Sequence, residues 1–163
     1  MGWIEKVSNF FGGHGVTVQI TRLEKQHPAE VKFPMTDTVF KGNYSVESKK
    51  NARILAVNHE LIIWKKHEDQ REEEIDLGNE IHDADYECDG YDVQYPYEIK
   101  AGDVFHGHFM IMPIDIPHEL VSLGYNPPES ALSDPTVRIF CRVTADVEGA
   151  FLDAEQEVTI NVV

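Results

Sequence analysis

From Val137 to Val147 the chain reads VRIFCRVTADV, and an apolar or small side chain returns at every second residue: Val137, Ile139, Cys141, Val143 and Ala145. Arg138, Phe140, Arg142 and Thr144 fall between them. Successive Cβ atoms of a strand point to opposite faces, so this period of two sorts the residues into one buried and one outward face. Val16, Val18 and Ile20 alternate in the same way with Thr17, Gln19 and Thr21. The spacing of a helix is clearest at 3–11, where Trp3, Ile4, Val7, Phe10 and Phe11 share one face before Gly12 and Gly13 stop it. A chain with this pattern builds its core from sheets.

Further strands are expected at Phe40–Val46, with Gly42-Asn43 as a bend or bulge, and at Arg53–Lys66, broken near Asn58 or central in its sheet. Tyr97–Ile99 and Val104–Pro113 read as strands joined by a turn at Ala101-Gly102-Asp103, and Val158–Val163 as the closing strand. Arg71–Ile81 reads as a hairpin arm or as partly helical. The Pro-rich stretch Ile116–Pro135 is long for a loop and reads as an ordered surface excursion. Many short strands with turns between them give an all-β, antiparallel, immunoglobulin-like sandwich. With 163 residues there is room for one such domain, at 13–163, preceded by the amphipathic helix at 1–12.

The net charge is −15 and is concentrated. Residues 68–92 hold twelve acids against the single base Arg71. No Lys/Arg cluster is present to neutralise phosphates, which argues against nucleic-acid binding and against attraction to an anionic membrane. No apolar run reaches the roughly 18–20 residues that span a bilayer, and the opening MGWIEKVSNFFGG lacks the features of a secretory signal, so a cytoplasmic location is expected. Cys88 and Cys141 have no CxxC partner, and two such thiols in that compartment are expected to be reduced.

The order of elements resembles the arrestin-like superfamily, and within it the bacterial sporulation-control proteins. The likeness rests on Phe10-Phe11-Gly12 running into the first strand, on Gly42-Asn43-Tyr44-Ser45-Val46, and on the long strand Ile54–Trp64. It rests also on the turn YEIKAGD at 97–103 followed by FMIMP at 109–113 and by Pro117, and on 143–153 leading into the last strand. The resemblance implies an arrestin-like sandwich, a regulator or adaptor that is not an enzyme, and protein partners bound through loops and strand edges. It implies no catalytic residues and no cofactor. The family usually has two lobes; a chain with one would expose surface its relatives cover, so a homo-oligomer is expected.

Three partner-binding features follow. The apolar helix face offers Trp3, Val7, Phe10 and Phe11. The acidic arm offers Glu72, Glu73 and Glu74, and beyond it Asp83, Asp85, Glu87 and Asp89, which suit a basic protein surface. Asp85 opens a D-x-E-x-D-G run like the start of an EF-hand loop, but its twelfth position is Pro96 where a bidentate Glu is needed. His106 and His108 leave one face of a strand, a spacing that holds metal in cupins. There a carboxylate follows four or five residues later; here those places hold Met112 and Pro113. No metal is therefore expected, the alternative being a cupin-like metal-dependent enzyme built on His106 and His108. No GxSxG, GxGxxG or Walker loop is present.

Overall fold

The computed structural model describes residues 14–24, 26–27, 30–87 and 92–163. The helix expected at 3–11, with Trp3, Val7, Phe10 and Phe11, lies outside these residues, as do Cys88 and Asp89. Two antiparallel sheets face each other. The first contains β1 (Val16–Leu23), β4 (Phe40–Ser48) and β8 (Val104–Ile111), in the order β1-β4-β8. The second contains β5 (Ala52–Lys66), β6 (Glu72–His82), β9 (Val137–Val147) and β10 (Ala154–Thr159), in the order β10-β9-β5-β6, with β7 (Tyr97–Ile99) paired to the first residues of β5. A minimal hairpin, β2 (Gln26–His27) with β3 (Glu30–Val31), stands apart. The fold is thus the all-β sandwich that the alternation implied.

The core lies between the sheets. Val18, Tyr44, Val46, Phe109 and Ile111 enter it from one side and Ile54, Leu61, Ile63, Cys141 and Val143 from the other. Along β9 the alternation holds: Ile139, Cys141, Val143 and Ala145 are buried inward. Phe140 and Ile62 are also buried, but on the outer face, where the Arg138 and Arg142 guanidinium groups lie 4.3 and 5.2 Å from the Phe140 ring centroid. The arginine stems cover apolar area there while their charged ends reach carboxylates. Burial pushes the Cys141 thiol up, so it stays a thiol and acts as a small apolar core residue.

Strand β5 is central in its sheet, one of the two readings its pattern allowed, and two bulges lie away from Asn58 and Gly42-Asn43. Between β5 and β9 the extra residue is Leu55 rather than one near Asn58; between β1 and β4 it is Thr21, on the strand opposite Gly42-Asn43. A third bulge, on β6, matters most. Ile62 pairs with Asp76 and Leu61 with Gly78, leaving Leu77 over. A single extra residue exchanges the two faces of everything beyond it. Before the bulge Ile75 faces the core; after it Ile81 turns outward, 47 % exposed, and Glu80 and His82 turn in. The Asp76 carboxylate accepts the Gly78 N–H (2.9 Å) and fixes the turn of the chain. Gly78 is required because a Cβ there would stand 2.7 Å from Ile111 Cγ2.

The Pro-rich stretch 116–135, irregular by its sequence pattern, does contain regular elements. The structure places α1 (Ile116–Ser122) and a 3-10 turn (Pro128–Ser133) in it. Asp115 caps α1 by accepting the His118 N–H (3.0 Å), and Pro117 occupies the first turn, where its missing N–H costs nothing. The end of the excursion is pinned by one carboxylate. Asp134 accepts from the Thr136 N–H (2.8 Å) and hydroxyl (2.6 Å) and from the Tyr125 hydroxyl (2.5 Å), and Lys65 Nζ donates to Tyr125 and Thr136 (2.6 and 2.7 Å). The closing strand begins at Ala154, four residues before its expected start. Its continuation leaves the sheet, and Val162 forms a parallel bridge with Phe33. Among the described residues no helix is long and apolar enough to cross a membrane.

Candidate functional site

The inward turn of Glu80 and His82 meets a third polar residue. His59 stands opposite Glu80 in the β5–β6 ladder, inward-facing and fully buried. Around these three gather Tyr44 from β4, Tyr86 and Asp92 from the segment after β6, and Tyr95 before β7. The cluster occupies sandwich interior that would ordinarily be aliphatic. Its polar atoms must therefore satisfy one another.

The Asp92 carboxylate, with a fully buried side chain, organises one side. Its Oδ1 accepts the His108 N–H (3.0 Å) and its Oδ2 lies 3.1 Å from His82 Nδ1. Gly107 makes this approach feasible: a Cβ there would fall on Asp92 Oδ1 and within 2.5 Å of Tyr44 Cε1 and Cζ. His82 Nδ1 also lies 3.0 Å from the Tyr44 hydroxyl, which is 3.0 Å from that of Tyr95. The other ring nitrogen, Nε2, is 3.3 Å from Glu80 Oε2. Glu80 Oε2 in turn accepts the Met110 N–H (2.7 Å), tying β6 to β8. Tyr86 stacks on the His82 ring with centroids 3.8 Å apart and planes 10° apart.

Charge and burial compete here. Burial alone would disfavour the His82 cation, but hydrogen bonds to Asp92 and Glu80 hold its pKa above the usual histidine value. Burial opposes both carboxylates too, and the adjacent His82 keeps each below the ordinary range. His59 differs. Burial, and then the neighbouring His82, lower its pKa to about 3, so it is neutral. Its Nδ1 lies 2.9 Å from the Glu80 carbonyl oxygen, which can only accept, so Nδ1 carries the proton. Nε2 is left with a lone pair and no hydrogen-bond partner, in a ring stacked on Phe109 at 4.7 Å. One ligand atom each of His59, Glu80 and His82 lies within 4.8 Å of the others. Glu80, Tyr86 and His108 also line a half-open cleft of about 370 Å³, with Asn43 and Met110.

The alternative metal pair, His106 and His108, is not part of this group. His106 projects outward and is exposed, and His108 contributes its backbone N–H to Asp92. Neither belongs to the set of metal-competent side chains found among the described residues. Within His106-Gly107-His108 the residue that shapes this cluster is the glycine.

Of the acidic arm, Glu72 is exposed at the start of β6. Glu73 pairs with His67 Nε2 (2.7 Å) and lies 3.7 Å from Arg71. Glu74 takes both Arg142 terminal nitrogens, at 2.7 and 3.2 Å. The arm is therefore not helical but the second strand of a hairpin with β5. Arg142 also meets Glu157 (2.9 Å), Glu155 (3.8 Å) and Glu60 (3.9 Å). Burial holds the Glu60 and Glu155 carboxyls above their ordinary range, and neighbouring carboxylates push the same way against the pull of Arg142. Asp83 accepts the Asp85 N–H (3.0 Å) in the turn after β6, Glu87 is exposed beside it, and Asp89 lies outside the described residues. Asp83, Asp85 and Glu87 form no metal-competent group with described neighbours.

No protein-family model matches the chain, and no curated protein matches it in sequence. Solved structures do. The sporulation control protein Spo0M of Bacillus subtilis aligns over 91 % of this chain and 49 % of its own, with a TM-score of 0.60 at 14 % identity. Two further structures align over 91 % of the chain: a β-glucosidase from Kluyveromyces marxianus at 9 % identity, with a TM-score of 0.36, and the ligand binding region of serine-glutamate repeat protein A of Enterococcus faecium at 14 %, with a TM-score of 0.33. The chain spans about half the length of the Spo0M structure. The likeness shows the fold, an all-β sandwich.

Proposed function

We propose that this chain is a non-catalytic regulatory or adaptor protein of the cytoplasm that binds a basic surface of a protein partner through the outer face of its five-stranded sheet. The observation that carries the reading is the imbalance on that face. Arg142 is shared among Glu60, Glu74, Glu155 and Glu157, and Arg138 lies 2.8 Å from Glu157. Carboxylates that burial, and then nearby carboxylates, push towards protonation gain most from an incoming cation. The partner would supply Lys or Arg side chains to this face and be steered to it by the acidic strand β6. Strands β6 and β10, which end the sheet order, offer main-chain pairing as a second contact.

The test uses a fluorescent Lys/Arg-rich peptide as the probe. Exchanging Glu60, Glu72 and Glu155 for Gln should weaken its binding several-fold at low salt and flatten the salt dependence. Exchanging Glu47, Asp103 and Glu129, which are exposed elsewhere, should change binding much less. Equal loss in both triple variants would mean that net charge alone attracts the peptide, and the proposed face would be wrong.

A further inference from the structure

The buried cluster has a chemistry that protein binding does not use. We propose that His59, Glu80 and His82 form a binding site for one divalent transition-metal ion of the zinc class. Four observations carry it, each independent of the outer face.

The first is the unpartnered nitrogen. His59 is fully buried, its Nδ1–H is committed to the Glu80 carbonyl, and its Nε2 lone pair has no hydrogen-bond donor. A buried acceptor in that state keeps its full desolvation penalty unless something binds it. The second is the support behind each ligand. Metal-binding histidines generally donate their other ring N–H to a backbone carbonyl or a carboxylate. His59 does the first with the Glu80 carbonyl, and on the His82 side Nδ1 lies 3.1 Å from the buried Asp92 Oδ2, an ion-pair contact that holds the ring.

The third is spacing. For bonds of about 2.0–2.1 Å to nitrogen and oxygen, neighbouring ligands of a tetrahedral ion stand about 3.3–3.4 Å apart. His82 Nε2 and Glu80 Oε2 are 3.3 Å apart. The three ligand atoms lie within 4.8 Å of one another, at most about 1.5 Å beyond that tetrahedral spacing. The fourth is access. Glu80 lines the cleft beside Tyr86 and His108, which leaves a side for entry and for a further ligand. Two imidazoles and one carboxylate suit zinc, cobalt or iron rather than calcium or magnesium, which prefer all-oxygen sets. The site joins β5 to β6 and, through Asp92 and the Met110 N–H, to β8, so a bound ion would tie the two sheets together.

The rival arrangement places a proton on His82 Nε2, held between Glu80 and Asp92, with no ion. Co²⁺ titration of the full chain separates the two. The proposal expects one Co²⁺ per chain, visible d–d absorption, displacement by Zn²⁺, and a melting temperature raised by about 5–10 °C at a hundredfold excess over Kd. Asp92→Asn should weaken binding about 10–100-fold through loss of support to His82. His59→Ala should abolish it, and His106→Ala should leave it unchanged. A folded wild-type chain that takes up no stoichiometric Co²⁺ or Zn²⁺ would overturn the proposal. So would undiminished binding by a folded His59→Ala chain. If His59→Ala does not fold, the wild-type stoichiometry and the Asp92→Asn affinity still decide.

Discussion

Replacing Gly107 by Ala adds one methyl group at the point where two sheets and a buried carboxylate converge. The new Cβ would fall on Asp92 Oδ1 and within 2.5 Å of two Tyr44 ring atoms, all of them in closed interior. Overpacking of this kind costs about 1–3 kcal/mol when neighbours can yield. Here the neighbour that must yield is Asp92. Moving it removes the acceptor of the His108 N–H and the partner of His82 Nδ1. Breaking a buried ion pair costs about 3–5 kcal/mol, and the two effects overlap, so the expected loss is about 3–6 kcal/mol. For a domain of this size that corresponds to about 6–24 °C in melting temperature. Urea unfolding followed by circular dichroism measures it. His106→Ala, on the exposed face one residue away, should stay within about 0.5 kcal/mol of wild type. If Gly107→Ala unfolds at the wild-type urea concentration, the close approach of Asp92 to β8 is wrong, and with it the interior described for this cluster.

Two other substitutions test the excursion between β8 and β9. Asp134→Asn should cost about 1–3 kcal/mol near neutral pH, because the carboxylate accepts from Thr136 and Tyr125. Those hydrogen bonds hold its pKa below the ordinary range, so its contribution is in place above the unfolded-state value near 4 and fades as the pH falls towards the folded-state value. The gap in urea midpoint between wild type and variant should therefore narrow in acid; a gap that widens contradicts the assignment. Asp115→Ala should cost about 1 kcal/mol by uncapping α1, read in the same unfolding assay, and no change would show that the cap is not formed in solution.

The sheets were legible because period-two patterning survives without knowledge of tertiary structure. Ile139, Cys141, Val143 and Ala145 point inward as their spacing requires. What the pattern could not carry is the β6 bulge. Read without it, the inward series Ile75, Leu77 would continue to Asn79 and Ile81 and leave Glu80 and His82 in solvent. One unpaired residue reverses that, and Gly78 beside Asp76 is its only local sign. His59 was similarly marked, a histidine inside the apolar run of β5, but its partners lie 21 and 23 positions away. The helix α1 had a readable start in Asp115, Pro117 and Glu119, outweighed by the prolines that follow. The acidic arm was found as charge, but its pairing with Arg142 depends on β9 lying one strand beyond β5 in the sheet.

The central claim is that the sandwich interior holds His59 with its proton on Nδ1 and a bare Nε2 turned towards Glu80 and His82. A long-range ¹⁵N–¹H correlation spectrum of the histidine rings observes this directly. The account predicts that His59 is neutral with Nδ1 protonated, and that one equivalent of Zn²⁺ shifts the Nε2 resonances of His59 and His82 while those of His106 stay in place. A proton on His59 Nε2, or a Zn²⁺ response centred on His106, would contradict it.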